Sequence, residues 1–215
     1  MKKLLIYVYL FVCLIPSLWG QQTATLVNAK ANLYKVDELL YRSEQLVSED
    51  KAIIKRIPIK SIINLRYFTR SGDRKLFAPS EGVKLINHPL LTWRIKAPEI
   101  AQTLKLIQQH QQEGAVLIHC YHGADRTGIM VAMYRIIYQN WSIKDAKQEM
   151  LNGPYGYHSV WKNLEALYAV LVKTNMPEQR AAVAYTLACA GKLPPDRTVR
   201  LLQEAAGESH DALYY

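Results

Sequence analysis

The feature that most constrains this chain is a polar ten-residue stretch, residues 119–128, that lies between two apolar segments. It reads His-Cys-Tyr-His-Gly-Ala-Asp-Arg-Thr-Gly. Residues 115–118, directly before it, are Ala-Val-Leu-Ile, which predicts a buried strand, and residues 127–134 predict the start of a packed helix. In a loop between strand and helix, backbone N–H groups point inward and the helix N-terminus adds positive potential. The stretch is therefore expected to bind an anion.

The side chains of this loop add a nucleophile to the anion site. Cys120 faces the inward N–H groups, which favour the reactive thiolate form. Arg126 can bind two phosphate oxygens with its planar guanidinium, which a lysine does less well. Gly123 permits tight curvature, and Thr127 is placed to donate its hydroxyl to the thiolate. The remaining members of the predicted phosphate and substrate cradle are Tyr121, His122 and Ala124.

Strands alternate with helices along the chain, which predicts an α/β fold with a central, mainly parallel sheet flanked by helices. Ser48 and Ser142 are expected to cap helices. Two helical patterns after Pro177 predict a helical C-terminal extension over residues 176–215, so the main domain is expected to cover residues 33–175. The predicted strands span 33–36, 39–42, 61–65, 82–87 and 115–118. The predicted helices span 48–56, 98–112, 127–140 and 161–173, and a further helix is predicted to open at Ser142.

The first twenty residues have the order of a signal peptide. Lys2 and Lys3 form a basic head, residues 4–15 are almost wholly apolar, and cleavage is expected after Gly20. Residues 21–32 are polar and small and are expected to form a leader to the fold. The protein is therefore expected to be exported, with no stable membrane span after cleavage. An uncleaved anchor is the alternative, although the apolar run is short for a span.

Charge and cysteine content narrow the partners. The formal net charge is +9, and removal of the first twenty residues leaves +7, which suits anionic partners. Nucleic acid is not expected, because the sequence has no zinc-finger spacing, arginine-rich helix or aromatic RNA-binding signature. Export leaves two cysteines, Cys120 and Cys189, and a disulfide between them is the alternative reading of Cys120. A disulfide would not require Gly123 and Arg126 at their present spacings.

The His-Cys-x5-Arg-Thr-Gly stretch resembles the signature loop of the cysteine-dependent protein tyrosine and dual-specificity phosphatase superfamily. The likeness to its small bacterial dual-specificity-like members extends to residues 40–43, 62–66, 132–135 and 141–142. The resemblance implies a phosphotyrosine-phosphatase-like fold, a phosphocysteine intermediate at Cys120, phosphate held by Arg126 and no metal cofactor. One departure is Glu44, where these relatives often have glycine.

The general acid does not follow the superfamily pattern. These phosphatases usually carry an aspartate on a separate loop upstream of the cysteine, but residues 87–93 read Asn-His-Pro-Leu-Leu-Thr-Trp. Between Asp73 and Asp125 the only carboxylates in the sequence are Glu81, Glu99 and Glu113. Asp125 is therefore the candidate acid, and the chain looks similar here to myotubularin-like and some bacterial phosphatases. The alternative is that Asp125 only braces the loop by hydrogen bonding.

Other polar residues of the loop have two interpretations each. His119 is expected to order the loop as a buried histidine rather than to shuttle a proton. His122 is either a substrate contact or a solvated loop residue. Arg66 follows a predicted parallel strand on the same rim as the loop, so it is a candidate substrate contact, with a surface salt bridge as the alternative. A metal site of His119, Cys120 and His122 is not expected, because a tight loop would splay these side chains apart.

The aromatic residues downstream and upstream are expected to be structural. Tyr155, Tyr157 and His158 lie in a predicted turn over residues 152–158, although they could line the pocket. Trp93 and Trp161 are expected to pack in the core.

The expected function is phosphomonoester hydrolysis through Cys120, on phosphotyrosine-type or dual-specificity substrates such as a phosphorylated protein. A phosphoinositide phosphatase is one alternative, although the loop has no lysine to favour polyphosphorylated inositol. A second alternative is a phosphate-binding module that keeps Arg126 but lacks a competent acid. A rhodanese-like sulfur carrier is disfavoured, because its cysteine loop is one position shorter and seldom ends in Arg-Thr-Gly.

Overall fold

The computed structural model describes residues 22–164. The predicted signal peptide (1–20), the C-terminal extension (176–215) and Cys189 lie outside these residues, as does most of the helix predicted over 161–173. Within the described residues no helix has the length and apolar character needed to cross a membrane. Cys120 is a free thiol in this part of the chain.

One six-stranded sheet forms the centre of the domain: β1 (Thr25–Asn28), β2 (Leu33–Lys35), β3 (Leu40–Ser43), β4 (Ile59–Arg66), β5 (Lys84–Leu90) and β6 (Ala115–His119). The spatial order is β1-β2-β3-β6-β4-β5. Strands β3, β6, β4 and β5 are parallel neighbours, whereas β1 and β2 extend the β3 edge in antiparallel fashion. The structure therefore confirms the predicted α/β fold with a mainly parallel sheet.

The central strand β6 shows why both faces of the sheet are covered. All five of its residues are buried. Val116 and Ile118 belong to one hydrophobic cluster, whereas Ala115 and Leu117 belong to a second. Successive side chains of a strand point to opposite faces, so an unbroken apolar run is what a strand between two layers requires.

The helices in the described residues are α1 (Lys51–Ile54), α2 (Gly72–Leu76), α3 (Ala97–Gln111), α4 (Asp125–Tyr138) and α5 (Ile143–Asn152). The three long helices, α3 to α5, supply the cluster that holds Val116 and Ile118. The opposite cluster receives Ile54 from α1 and Phe77, which follows α2. Ser142 caps α5 as predicted, because its Oγ accepts a hydrogen bond from Asp145 N at 3.0 Å.

The structure differs from two predictions in the first half of the chain. Residues Thr25–Asn28 lie within the predicted leader but form the edge strand β1, whose half-exposed residues lack the apolar pattern of a buried strand. The helix predicted over 48–56 is a single 3-10 turn, Ser48–Asp50, followed by α1. Ser48 is not its cap. Instead the Asp50 carboxylate accepts a hydrogen bond from Val47 N at 2.9 Å.

Trp93 is a further difference. Its side chain is 56% exposed, and its ring stacks on Trp161 with a centroid distance of 6.4 Å. Trp161 is half-buried and packs against the core, so the prediction of core packing is right for Trp161 and wrong for Trp93. An indole can shield a neighbouring ring while most of its own surface stays in water.

A buried ion pair joins α4 to α5. The Arg135 guanidinium binds both carboxylate oxygens of Glu149, with Nη2 2.7 Å from Oε1. The same Oε1 accepts hydrogen bonds from Tyr155 Oη and from Ala24 N, each at 3.1 Å. Burial raises the pKa of Tyr155 to about 12, so its hydroxyl remains a donor. Glu149 therefore connects two helices, the turn after α5 and the segment before β1.

Glu149→Ala is expected to lower the free energy of unfolding by about 3–5 kcal/mol, because Arg135 would keep a buried charge without its partner. Urea unfolding measures the change. Lys84→Ala is the control, since it removes an exposed pair with Glu113 and such pairs contribute little. A loss for Glu149→Ala no larger than that of the control would contradict the importance of this ion pair.

Candidate active site

The loop after β6 lies at the end of the sheet where the carboxyl ends of three parallel strands meet. His119, the last residue of β6, lies opposite Ser43 of β3 and Asn64 of β4. In sheets of this type, ligands bind outside the carboxyl ends of the parallel strands. The polar stretch recognised in the sequence therefore lies where a ligand site is expected, and the helix that follows it begins at Asp125.

The curvature of the loop depends on Gly123. Its φ angle is +69°, and a Cβ atom there would lie 2.5 Å from Ser43 O and 2.6 Å from Glu44 N. Both the backbone conformation and the space therefore require glycine. Close contact with the chain after β3 continues along the loop, because Gln45 N donates to Tyr121 O at 3.0 Å.

Arg42 of β3 holds this loop in place. It was not predicted as a site residue from the sequence. Its side chain is 1% exposed, and its Nη2 donates to Gly123 O at 2.7 Å. Its guanidinium lies 3.7 Å from the centroid of the Tyr155 ring. Burial lowers the pKa of Arg42, while Tyr155, Glu149 and Cys120 act to raise it. An arginine inside the short strand predicted over residues 39–42 is the sequence signal that could have indicated such a role.

No carboxylate among residues 22–164 forms an ion pair with Arg42. Its Nε atom is buried and has no hydrogen-bond partner within the described part of the chain. Arginine does not lose its proton in proteins, so a permanent positive charge lies beneath the loop. This charge favours an anionic group in the loop above it.

The three groups assigned to phosphate chemistry lie together at the junction of β6 and α4. Cys120 directly follows β6 and is 2% exposed. Arg126, the second residue of α4, has its Nη1 3.4 Å from two carbonyl oxygens, those of Leu65 and Leu90. Arg126 Nε and Thr127 Oγ1 are buried and have no hydrogen-bond partner between residues 22 and 164. Buried donors without partners are costly, so this arrangement suits a bound oxyanion that accepts from them.

His119 is fully buried and connects the loop to a chain of polar contacts. Its Nε2 is 3.0 Å from Asp73 Oδ2, and its Nδ1 is 3.2 Å from Cys120 O. Asp73 Oδ1 accepts from Gln45 Nε2 at 3.0 Å. Burial acts to raise the pKa of Asp73, but the His119 and Gln45 contacts outweigh it and hold that pKa below its usual value. Asp73 and Gln45 were not predicted as site residues, because nothing in the sequence brings them next to the loop.

Arg66 ends β4 on the same rim. Its Nη1 donates to Gln45 Oε1 at 3.0 Å, and its guanidinium lies 4.9 Å from the ring centroid of Tyr121. Tyr121 is 54% exposed, so its ring lies at the solvent-facing opening of the loop, which we call the mouth. The structure shows no salt bridge between Arg66 and a carboxylate of the described residues. The half-buried Arg66 and the exposed Tyr121 therefore form a cation–π pair beside the site.

Asp125 is the first residue of α4 and also lies beside the cysteine loop. Its carboxylate is 7% exposed and accepts from His158 N at 2.9 Å through Oδ1. His158 Nδ1 is 3.0 Å from Oδ2 of the same carboxylate. The His122 ring lies 4.9 Å from the His158 ring. The turn that the sequence predicted over residues 152–158 thus brings Tyr155 under Arg42 and His158 to Asp125, while Ala124 is buried at the helix N-terminus.

The other candidate carboxylates are engaged elsewhere. Glu81 forms ion pairs with two lysines, and these pairs hold its pKa at about 2. Glu99 accepts from the backbone at the start of α3, and Glu113 pairs with Lys84. Of these candidate carboxylates, Asp125 is therefore the one that lies in the cysteine loop.

The mainly parallel sheet and the loop after β6 define an α/β protein with a candidate anion site at a helix N-terminus, the class that includes the tyrosine phosphatases. The chain belongs to the tyrosine phosphatase family, whose pattern matches residues 29–155. It is 33% identical over 138 residues to the dual specificity protein phosphatase TpbA of Pseudomonas aeruginosa. That alignment covers 64% of this chain and 60% of TpbA, so the chain spans less than two thirds of the curated relative. The expected likeness to small bacterial dual-specificity phosphatases is confirmed.

Solved structures agree with this assignment. The crystal structure of P. aeruginosa TpbA is similar with a TM-score of 0.63 and 30% identity, over 68% of this chain and 89% of that one. A Cys-to-Ser variant of TpbA in complex with phosphotyrosine has a TM-score of 0.63 and 29% identity, over 69% and 89%. The core catalytic domain of the S. cerevisiae PP-IP phosphatase SIW14 shares the fold, with a TM-score of 0.53 and 24% identity, over 62% and 83%.

Gly123→Ala is expected to destabilise the protein by more than about 1 kcal/mol and to displace the loop, because its Cβ would collide with backbone atoms at a positive φ. Urea unfolding and binding of tungstate, a phosphate mimic, measure the two effects. Gly82→Ala is the matched control. Gly82 also has a positive φ, +73°, but a Cβ there meets nothing within 4 Å. Equal losses of stability in Gly123→Ala and Gly82→Ala, with tungstate binding kept in both, would show that contact with the chain after β3 does not shape the loop.

Proposed function

We propose that this protein is a phosphomonoester hydrolase with Cys120 as its nucleophile. The observation that carries the proposal is the junction of β6 and α4, where the buried Cys120 thiol lies in the same loop as Arg126, whose buried Nε has no hydrogen-bond partner among residues 22–164. The Arg126 side chain has no carboxylate partner among residues 22–164. A fixed cation with open donors provides what a phosphoryl group requires.

The chemistry follows in two steps. The Cys120 thiolate attacks phosphorus, the bond to the leaving oxygen breaks, and Asp125 donates a proton to that oxygen. Arg126 and the loop N–H groups hold the equatorial oxygens of the transferred phosphoryl group. In the second step Asp125 removes a proton from water, the water oxygen attacks phosphorus, and the thiolate leaves. Arg42 stabilises the loop and adds positive charge beneath it.

For the substrate, we propose a phosphotyrosine-type monoester on a protein. A related phosphatase, TpbA, has been crystallised with phosphotyrosine. In this chain the exposed Tyr121 ring and the Arg66 guanidinium lie at the mouth. The ring can stack on the aryl group of a phosphotyrosine, and the cation can attract acidic residues of the substrate that neighbour it. The phosphate-binding module without turnover is the second candidate, and it is favoured by the engagement of Asp125 with His158.

Cys120→Ser is expected to abolish hydrolysis of p-nitrophenyl phosphate while tungstate binding persists, because the nucleophile is lost and the cradle remains. Steady-state rates of the reduced mature protein measure this. Arg126→Lys is expected to weaken tungstate binding, since an ammonium cannot bind two oxygens in a plane. Activity that survives Cys120→Ser would exclude the cysteine mechanism. Folded wild-type protein that binds tungstate without any turnover would favour the binding module.

Asp125→Asn is expected to reduce kcat by about 10²–10⁴ with phenyl phosphate and by less with p-nitrophenyl phosphate, because a good leaving group needs little protonation. The ratio of the two losses is the measurement. Asp145→Asn, on the exposed side of α5, is the matched control and is expected to leave both rates unchanged. Equal losses with both leaving groups would assign Asp125 a bracing role and the acid to another group.

We also propose that the protein is exported through cleavage after Gly20. The support is the basic head and the apolar run over residues 4–15. Mass spectrometry of the protein recovered from an expressing bacterium is expected to find Gln21 as the first residue. A product that retains Lys2 and Lys3 and sediments with membranes would support the anchored alternative instead.

A further inference from the structure

Three side chains with metal-binding atoms meet at the mouth of the loop, and each comes from a different segment. His122 belongs to the loop, Asp125 to the start of α4 and His158 to the turn after α5. One ligand atom of each lies within 4.8 Å of the other two. We propose that these three residues bind a divalent transition-metal ion, best matched by Zn²⁺, and that the bound ion reversibly inhibits the enzyme.

The donor set determines the class of ion. Two imidazoles and one carboxylate, with a fourth position open, form a familiar Zn²⁺ set, whereas Mg²⁺ and Ca²⁺ prefer oxygen donors throughout. Zinc–nitrogen bonds of about 2.0–2.1 Å in a tetrahedral site place the donor atoms about 3.3 Å apart. His158 Nδ1 and Asp125 Oδ2 are already 3.0 Å apart. His122 is exposed, so rotation of its side chain can bring the third donor to that spacing.

The backbones that carry the three ligands are already tied together. Asn32 Nδ2 donates to His122 O at 2.9 Å and to Tyr155 O at 3.0 Å, so one side chain holds the loop next to the turn. His158 N donates to Asp125 Oδ1 at 2.9 Å and fixes the orientation of the carboxylate. Hydrogen bonds of this kind around metal ligands orient them and raise affinity. Binding of an ion would therefore cost little conformational entropy, because the backbones of its ligands are already held in place.

Inhibition follows from the identity of one ligand. A metal-bound Asp125 carboxylate has no proton to donate to a leaving oxygen, and an ion between His122 and His158 would occupy the mouth of the loop. This consequence rests on the proposed phosphatase function, whereas metal binding itself does not. The competing explanation is that His158 and Asp125 form only an ion pair that secures the turn to α4.

The binding experiment uses Cys120→Ser protein, because a thiolate is itself a zinc ligand. Titration calorimetry with Zn²⁺ is expected to show one site, and Co²⁺ is expected to give the visible absorption bands of tetrahedral coordination. His122→Ala and His158→Ala, each added to this background, are expected to weaken Zn²⁺ binding at least about tenfold, in line with the loss of a coordinating group. His110→Gln is the matched control. His110 contacts Ser61 near the start of β4, at the opposite end of the parallel strands from the loop, and glutamine preserves a polar partner for Ser61.

Equal Zn²⁺ affinity in all four proteins, each verified as folded by thermal unfolding, would overturn the site. So would weakening by His110→Gln to the same degree as by the other two variants.

The inhibition experiment uses the wild-type enzyme and His158→Ala with p-nitrophenyl phosphate. Zn²⁺ is expected to inhibit the wild type, EDTA to restore it, and the variant to require at least about tenfold more Zn²⁺. Equal inhibition of both would overturn the regulatory role. A wild type without turnover would refute the phosphatase proposal and leave the binding result to decide the site.

Discussion

The site depends on one buried hydrogen bond, from the Arg42 guanidinium to the carbonyl of Gly123. Arginine in a buried strand is costly unless its donors and charge are used, and here Nε has no partner among residues 22–164. The bond draws the loop against the end of β3, which is why residue 123 has no room for a Cβ atom. The same guanidinium rests on Tyr155, whose hydroxyl contacts Glu149, so the loop is coupled to the ion pair between α4 and α5.

The sequence predicted those parts of the structure that follow from short-range pattern. The apolar run of β6, the polar loop and the apolar helix after it are contiguous, and their order along the chain fixes their order in space. Cys120, Gly123 and Arg126 could be recognised together for that reason. The alternation of strands and helices predicted the mainly parallel sheet, because parallel neighbours need a crossover between them.

The parts that escaped prediction depend on contacts between distant segments. Asp73 lies 46 positions from His119 along the chain, and no local pattern indicates that they pair. His158 reaches Asp125 only because the turn after α5 folds back over the N-terminus of α4. Edge strand β1 was missed for a different reason: an exposed strand with a single neighbour needs few apolar residues, so its sequence looks like a connecting segment.

The hydrogen bond from Ala24 N to Glu149 has a consequence for the geometry of the whole protein at a membrane. Ala24, whose N–H makes this bond, lies only four positions after Gly20, the last residue of the proposed signal segment. Three extended residues span about 10 Å, which is less than half the width of a domain of this size. During translocation, and before any cleavage, the folded domain would thus be held directly against the lipid surface. A processing enzyme would have to cut there before folding is complete, since the completed fold would leave its scissile bond little clearance.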